Sequence, residues 1–329
     1  MTEVAVVPKD NILREETIEV EVTRKVQASL DIATLTLKAT SGADLPAWEP
    51  GAHVDVLLPD GMVRQYSLCG STSGLSRYRI GVLRDPASRG GSAYLHEGLR
   101  EGDRLQLRGP RNHFELLPAQ RYVFAAGGIG VTPLVPMARA ALAAGADFEF
   151  IYCARSREVM AFADELEDAL GGRLTVNADD ESGLFDLAGY FADVRPDTLV
   201  YTCGPGPFID AVVGATKDWP SGTVHFERFE PLDFDAATNT SFEVELASSG
   251  AVLTVPADRS ILSVLGENGA RVLSSCTEGT CGTCEVGVLR GGETIEHRDA
   301  VLSPEERESG EMMMVCVSRC TGGRLLLDL

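Results

Sequence analysis

Three cysteines within nine residues, Cys276-Thr-Glu-Gly-Thr-Cys281-Gly-Thr-Cys284, restrict this chain more than any other stretch of it. A loop so rich in thiols is a disulfide cluster, a zinc knuckle or an iron–sulfur site. The first sixteen residues, MTEVAVVPKDNILREE, lack the basic segment and apolar run of a secretory leader. The most apolar stretch, from Tyr122 to Ala146, is broken by Gly127, Gly128, Gly130, Pro133, Pro136 and Arg139, so no membrane span is expected. The expectation is therefore a cytoplasmic protein, whose eight cysteines stay reduced. Zinc usually takes two Cys-x2-Cys knuckles, or one knuckle with paired histidines. Here Cys281 and Cys284 form one knuckle, Cys316 and Cys320 are spaced differently, and His297 stands alone.

The pattern Cys276-x4-Cys281-x2-Cys284, closed by the distant Cys316, has the plant-type [2Fe–2S] spacing. Two irons bridged by two sulfides need four thiolates. A tight loop supplies three of them and a separate segment the fourth. Gly279 and Gly282 let the backbone wrap the cluster with its N–H groups toward sulfur. Cys69, Cys153, Cys203 and Cys320 default to buried small apolar residues, with Cys203 the one open to argument.

The chain has 329 residues, enough for about two or three domains. Its formal charge of −20 argues against nucleic-acid partners. A nucleotide cofactor stays possible, because backbone N–H groups at a helix start hold phosphate against the overall field. Up to Leu116 the sequence reads as short strands punctuated by Pro50-Gly51, Asp60-Gly61 and Ser73-Gly74, a pattern for an antiparallel barrel or sandwich. The strands include 18–26, 33–39, 53–58, 77–83 and 104–108. From Gln120 the rhythm alternates. Strands at 121–126, 147–152, 174–178 and 198–203 are separated by helical runs at 133–144 and 159–170, with a further helix from Phe208 to about Lys217, as in an open parallel sheet. A polar linker, Asp233 to Thr240, leads to a hairpin at 241–246 and 252–255, a short helix at 260–268 and the cysteine loop. The division expected is 1–117, 118–232, linker 233–240, and 241–329.

Two further segments suit nucleotide cofactors. Arg64-Gln-Tyr66-Ser67 offers an aromatic face for a flat ring, a hydroxyl for the hydride-accepting N5 of a flavin, and a guanidinium for phosphate. The same residues also occur at ordinary strand ends. Gly90-Gly91-Ser92 precedes a possible helix, 93–99, and can present N–H groups to an anion, or it is a plain turn with a serine cap. Gly127-Gly128-Ile-Gly130-Val-Thr132-Pro133 lies between a strand and a helix, where a pyrophosphate sits, although the spacing is not G-x-G-x-x-G. It is otherwise a helix start with proline in the first turn. Cys203-Gly204-Pro205 closes a strand at the carboxyl edge of the expected sheet.

The segment Cys276 to Gly292, then Glu296-His-Arg-Asp299 and Met313-Met-Val-Cys316, resembles the ferredoxin module of the phthalate dioxygenase reductase family. These are the reductases of Rieske-type aromatic oxygenases, vanillate demethylase reductase among them. The resemblance covers nearly the whole chain. It implies an antiparallel β-barrel flavin domain, an α/β parallel-sheet NAD domain and an α+β, β-grasp ferredoxin domain. It implies FMN held by Arg64, Tyr66, Ser67, Gly90, Gly91 and Ser92, with the backbone of Val82, Leu83 and Arg84 against the ring, although related reductases use FAD. It implies a nicotinamide nucleotide, NADH by family habit, at Gly127, Gly128, Gly130, Thr132, Pro133, Gly204 and Pro205. Cys203 would stand near the reactive C4, and Phe229 of His225-Phe-Glu-Arg-Phe229 near the flavin. Arg155 and Arg157 leave NADPH open.

Cys276, Cys281, Cys284 and Cys316 would hold the [2Fe–2S] cluster, and Ser67 and Cys203 would flank hydride transfer. The implied circuit runs from NADH through FMN and the cluster to a Rieske-type terminal oxygenase. A hydride carries two electrons and a [2Fe–2S] cluster takes one, so the flavin is the converter. No triad signature is present or needed. The alternatives are a reductase for a P450 or diiron oxygenase, or a non-catalytic iron–sulfur redox sensor.

Overall fold

The computed structural model describes residues 17–59, 61–86, 90–234 and 238–329. Asp60 of the Asp60-Gly61 turn and part of the 233–240 linker lie outside them. The chain forms two compact units, which divide between Phe229 and Glu230.

The first unit contains two sheets. One is antiparallel, built from β1 (Ile18–Gln27), β2 (Ile32–Ala39), β3 (His53–Leu57), β4 (Val63–Ser67), β5 (Tyr78–Leu83) and β6 (Arg104–Arg111). Its order is β4-β3-β6-β1-β2-β5, and a bridge from Leu68 to Ile80 brings the two edges together as a barrel. In β1 the period-two pattern is plain: Val20 and Val22 are fully buried between exposed Glu19, Glu21 and Thr23. The second sheet, ordered β11-β10-β7-β8-β9, is parallel throughout. Its strands are β7 (Arg121–Gly127), β8 (Asp147–Ala154), β9 (Leu174–Ala178), β10 (Thr198–Cys203) and β11 (Val224–Glu227). Residues 122–126 are all buried, as a strand covered on both faces requires. Barrel and parallel sheet share one core, in which Ile32, Cys69 and Phe114 join Phe124, Phe150 and Tyr152.

Two expected helices differ in detail. The run 159–170 is divided into a turn, Arg157–Val159, and a helix, Ala163–Leu170. Phe162 between them takes φ +66°, a left-handed conformation unusual outside glycine. Its buried ring lies 4.7 Å beneath the Arg79 guanidinium, a contact from the barrel that the local sequence does not announce. The segment 93–99 is a single turn, Gly91–Ala93, that widens into a π-helix, Tyr94–Gly98. Lys25 of β1 satisfies carbonyls there by donating to His96 O (2.6 Å) and Leu99 O (2.7 Å).

The second unit is a mixed sheet, ordered β13-β12-β18-β14-β16, with the helix Ile261–Glu267 packed in its core. Its strands are β12 (Phe242–Leu246), β13 (Val252–Val255), β14 (Glu285–Arg290), β16 (Met312–Met314) and β18 (Arg324–Leu327), while β15 (Ile295–Glu296) pairs with β17 (Arg319–Cys320). This is the β-grasp arrangement. Ser260 caps the helix by accepting from Ser263 N–H (3.1 Å). Among the described residues no helix is long and apolar enough to cross a membrane.

Candidate redox centres and nucleotide site

The four-thiol site is assembled by strand register. β14 and β16 pair Glu285 with Met314, so the register runs on to Cys284 opposite Val315, whose N–H donates to Cys284 O (3.2 Å), and Cys316 is the next residue. Cys276 reaches them on a loop whose backbone turns left-handed at Thr277, Gly279 and Gly282. Gly279 has φ +74°, and a Cβ there would stand 2.6 Å from Val317 Cγ2 and 3.0 Å from Asp299 Cα. The wrap aims the N–H groups of Glu278 and Thr280 at Cys276 Sγ, each at 3.4 Å.

The thiols touch in sequence, Cys281 to Cys276, Cys276 to Cys316, and Cys316 to Cys284. Hydrogen bonds from Cys281 and Cys316 pull Cys276 far below the ordinary thiol range. Cys281, Cys284 and Cys316 are buried and Cys276 half-buried. Among the described residues no three His, Cys, Asp or Glu side chains are grouped to close on a single ion. A row of four thiols with amides aimed at sulfur fits a two-iron group, with two sulfurs for each iron. Cys69 and Cys153 stay neutral. Burial pushes them both up to about 12.

The R-x-Y-S residues form β4, and the structure brings them against the Gly-Gly-Ser turn. A Cβ on Gly91 would lie 3.0 Å from both Cγ and Nε of Arg64, so the glycine lets the arginine lie close across that backbone. Gly90 is left-handed, at φ +109°. Ser92 Oγ accepts from Asp85 N–H (3.3 Å), while His96 Nε2 donates to the Val82 carbonyl (2.8 Å) and Glu97 pairs with Arg84 (2.8 Å). The turn and the strand end 82–85 are thereby clamped together. Burial raises the Tyr66 phenol, which stays neutral.

Ser67 is 5% exposed, and its buried Oγ has no hydrogen-bond partner. An orphaned hydroxyl costs about 1–3 kcal/mol, and its presence beside Tyr66 fits a ring that carries its own polar edge. Phe229 closes the first unit and is 40% exposed.

The glycine turn and Cys203-Gly204-Pro205 meet at the carboxyl ends of β7 and β10, where Ala126 pairs with Cys203. A Cβ on Gly127 would lie 2.9 Å from Pro205 Cδ, and one on Gly130 only 2.2 Å from Cys203 O. The helix Val131–Ala143 follows, with Thr132 and Pro133 buried in its first turn. Thr132 Oγ1 donates to Ile129 O (2.9 Å), and its methyl packs toward Gly81 of β5.

A cleft of about 920 Å³ opens along this edge, lined among others by Gly127, Gly128, Pro205, Phe208, Arg155 and Asp179. Gly130, Thr132 and Cys203 lie behind its wall rather than on it. Arg155 is ion-paired with Asp31 (2.7 Å), and Arg157 with Glu167 (2.6 Å). Cys203 is fully buried, and its thiol is held well above the ordinary value by burial and by the nearby Glu227.

Two residues here were not singled out by the sequence. Glu227 stands opposite Cys203 in the β10–β11 register, and burial pushes its carboxyl up to about 8. Thr202 is fully buried with an unpartnered Oγ1. Glu227 was visible as the acid inside His225-Phe-Glu-Arg-Phe229; Thr202 carried no signal.

Comparison with known proteins agrees with this geometry. Residues 244–321 match the family model of the 2Fe-2S iron–sulfur cluster binding domain. Over 303 residues the chain is 44% identical to a toluene-4-sulfonate monooxygenase system reductase subunit of Comamonas testosteroni, covering 91% of this chain and 95% of that one. It superposes on an intact type IV self-sufficient cytochrome P450 monooxygenase with TM-score 0.88 and 43% identity, covering 95% of its own length but 41% of that larger chain. Against the solved phthalate dioxygenase reductase, described as modular for electron transfer from pyridine nucleotides to [2Fe–2S], the TM-score is 0.69 at 40% identity, covering 95% of this chain and 98% of the other. The chain belongs to the phthalate dioxygenase reductase family of oxygenase reductase components.

Proposed function

We propose that this reductase passes electrons from NADH through FMN and a [2Fe–2S] cluster to a Rieske-type aromatic-ring oxygenase. The observation that carries the reading is the presence, in one chain, of a four-thiol site, a cleft at the carboxyl edge of a parallel sheet and, in the same unit as that cleft, the orphaned Ser67 hydroxyl. When bound, the flavin supplies the conversion of a two-electron donor to one-electron delivery. Arg64, lying across Gly91, holds the flavin phosphate together with the N–H groups of Gly90 and Gly91 and the Ser92 hydroxyl. Tyr66 would present its ring to the flavin, the Ser67 hydroxyl would donate to its polar edge, and the backbone at Val82 and Arg84 would border it. Phe229 supplies an aromatic cover.

On the nucleotide side the amides of Gly127 and Gly128, which line the cleft, would take the pyrophosphate, and the buried Thr132 and Pro133 fix the helix start behind them. Gly130 and Gly204 allow the two backbones to meet. The buried, neutral Cys203 would back the wall behind the reacting carbon without adding charge, and Pro205 lines the approach. Glu227, protonated near neutral pH because its value is about 8, holds a proton beside that pocket. Three carboxylates, Asp31, Asp179 and Asp186, line the cleft, and its one arginine is tied to Asp31. A 2′-phosphate meets repulsion there, which supports NADH over NADPH.

A P450 acceptor is the second reading, favoured by the superposition on part of a self-sufficient P450. The two are separated by mixing the NADH-reduced protein with an oxidised Rieske oxygenase or a ferric P450 under anaerobic stopped flow. The first reading expects reduction of the Rieske centre at least tenfold faster. Faster reduction of the P450 would replace it.

A further inference from the structure

We propose that Asp299 is a positioning residue for the cysteine loop and thereby sets the reduction potential of the cluster; this rests on the [2Fe–2S] reading above. Asp299 is fully buried and is not one of the four candidate cluster ligands. Its Oδ1 accepts from the N–H groups of Val301 (3.0 Å) and Leu302 (2.8 Å), which folds residues 299–302 into a tight turn. Arg307 donates to the Asp299 carbonyl (2.6 Å), and its guanidinium stands 3.9 Å from Oδ1. The His297 ring, with its side chain 8% exposed, lies 3.8 Å from Oδ2, and neither ring nitrogen nor Oδ2 has a hydrogen-bond partner. A buried carboxylate with one incompletely paired oxygen is costly.

The turn has a specific product. It aims Ala300 N–H at the Gly279 carbonyl, at 2.8 Å. That carbonyl and the Thr280 N–H belong to one planar peptide, on opposite sides of it. The Thr280 N–H is one of the two donors to Cys276 Sγ, at 3.4 Å. The chain of contacts therefore runs from Asp299 carboxylate to turn, to Ala300 N–H, through a single rigid peptide, to the sulfur of a cluster ligand. Gly279 is wedged between Asp299 Cα and Val317, next to the fourth ligand Cys316, so the peptide has little freedom to find the pose unaided. Amide donors to ligand sulfur favour the more negative, reduced cluster. Releasing this peptide lowers the potential.

The test uses the holoprotein carrying Asp299→Asn or Asp299→Ala, with potentiometric titration followed by visible absorption and by electron paramagnetic resonance of the reduced cluster. Both substitutions remove the same charge, so their difference isolates the turn. Asn keeps an acceptor for the two N–H groups and Ala does not. The Ala protein is expected to favour the oxidised cluster about tenfold over the Asn protein, equivalent to about 59 mV for one electron, with a changed resonance line shape. Equal potentials and line shapes in the two would overturn the proposal, whatever their melting temperatures. Should Asp299→Ala fail to fold, Asp299→Ser, whose hydroxyl reaches one amide at most, is compared with Asp299→Asn in the same way. It is expected to shift about threefold in the same direction, and equality again overturns the proposal. A wild-type protein without a [2Fe–2S] signal would defeat the underlying reading instead.

Discussion

Gly130→Ala tests how the nucleotide site is built. Gly130 has φ −62° and ψ −6°, an ordinary helical conformation, so alanine brings no dihedral strain. The obstacle is steric and lies entirely in backbone. The new methyl would stand 2.2 Å from Cys203 O, 2.3 Å from Cys203 C and 2.5 Å from Gly204 N. No flexible side chain is there to yield. The end of β10 and the glycine turn must separate by roughly 1 Å, and a displacement of that size near a reacting centre costs on the order of 100-fold in rate. Overpacking in a closed core costs about 1–3 kcal/mol in stability, and the upper end applies here.

The assay is single-turnover reduction of the bound flavin by NADH, beside urea unfolding of the same protein. Gly128→Ala is the companion, because Gly128 has φ +52° and open space around a Cβ. It carries about 1–2 kcal/mol of left-handed strain and raises KM for NADH, with the rate at saturation within a few-fold of wild type. A Gly130→Ala protein with wild-type stability and a wild-type reduction rate would refute the close packing of glycine turn on Cys203.

Four further outcomes follow from the same structure. Ser67→Ala removes an orphaned hydroxyl, so the flavin-free protein holds its stability or gains about 1 kcal/mol, while flavin reduction slows about tenfold or more; thermal melts and stopped flow read the two effects. Glu227, raised from 4.5 to about 8, contributes stability that is full below the unfolded value and is lost as pH rises through the folded one. Glu227→Gln therefore flattens the fall in unfolding free energy between about pH 5 and 9, measured by urea titration. Asp179→Ser removes a carboxylate from the cleft and narrows the preference for NADH over NADPH about tenfold, read as a ratio of kcat/KM values. Cys284→Ser loses the iron–sulfur spectrum but keeps NADH-dependent ferricyanide reduction, since the flavin and nucleotide residues lie in the other compact unit.

Legibility in the sequence followed distance along the chain. The loop from Cys276 to Cys284 was readable because the cluster's spacing is local. Its partner Cys316 was placed by motif, whereas the physical cause is the pairing of Glu285 with Met314. The R-x-Y-S and Gly-Gly-Ser segments were each ambiguous alone. What joins them is Arg64 lying across Gly91, a contact between separate elements.

Glu227 and Thr202 gain their burial from the parallel register of β10 with its neighbours, which no local pattern encodes. The break before Ala163 has the same origin, because Arg79 of the barrel captures the Phe162 ring. The π-turn after Gly91 is likewise held by Lys25, far away on β1. Propensity described elements well and failed where a side chain from elsewhere paid for a departure from them.

The circuit itself is tested most directly by anaerobic titration of the purified protein with NADH, followed by visible absorption, with flavin, iron and acid-labile sulfide determined on the same sample. Two electrons for the flavin and one for the cluster predict an endpoint near ~1.5 NADH per chain, bleaching of both chromophores, and about two irons for each FMN. A colourless, zinc-loaded protein, or one whose iron–sulfur bands persist after the flavin is fully reduced, would contradict it.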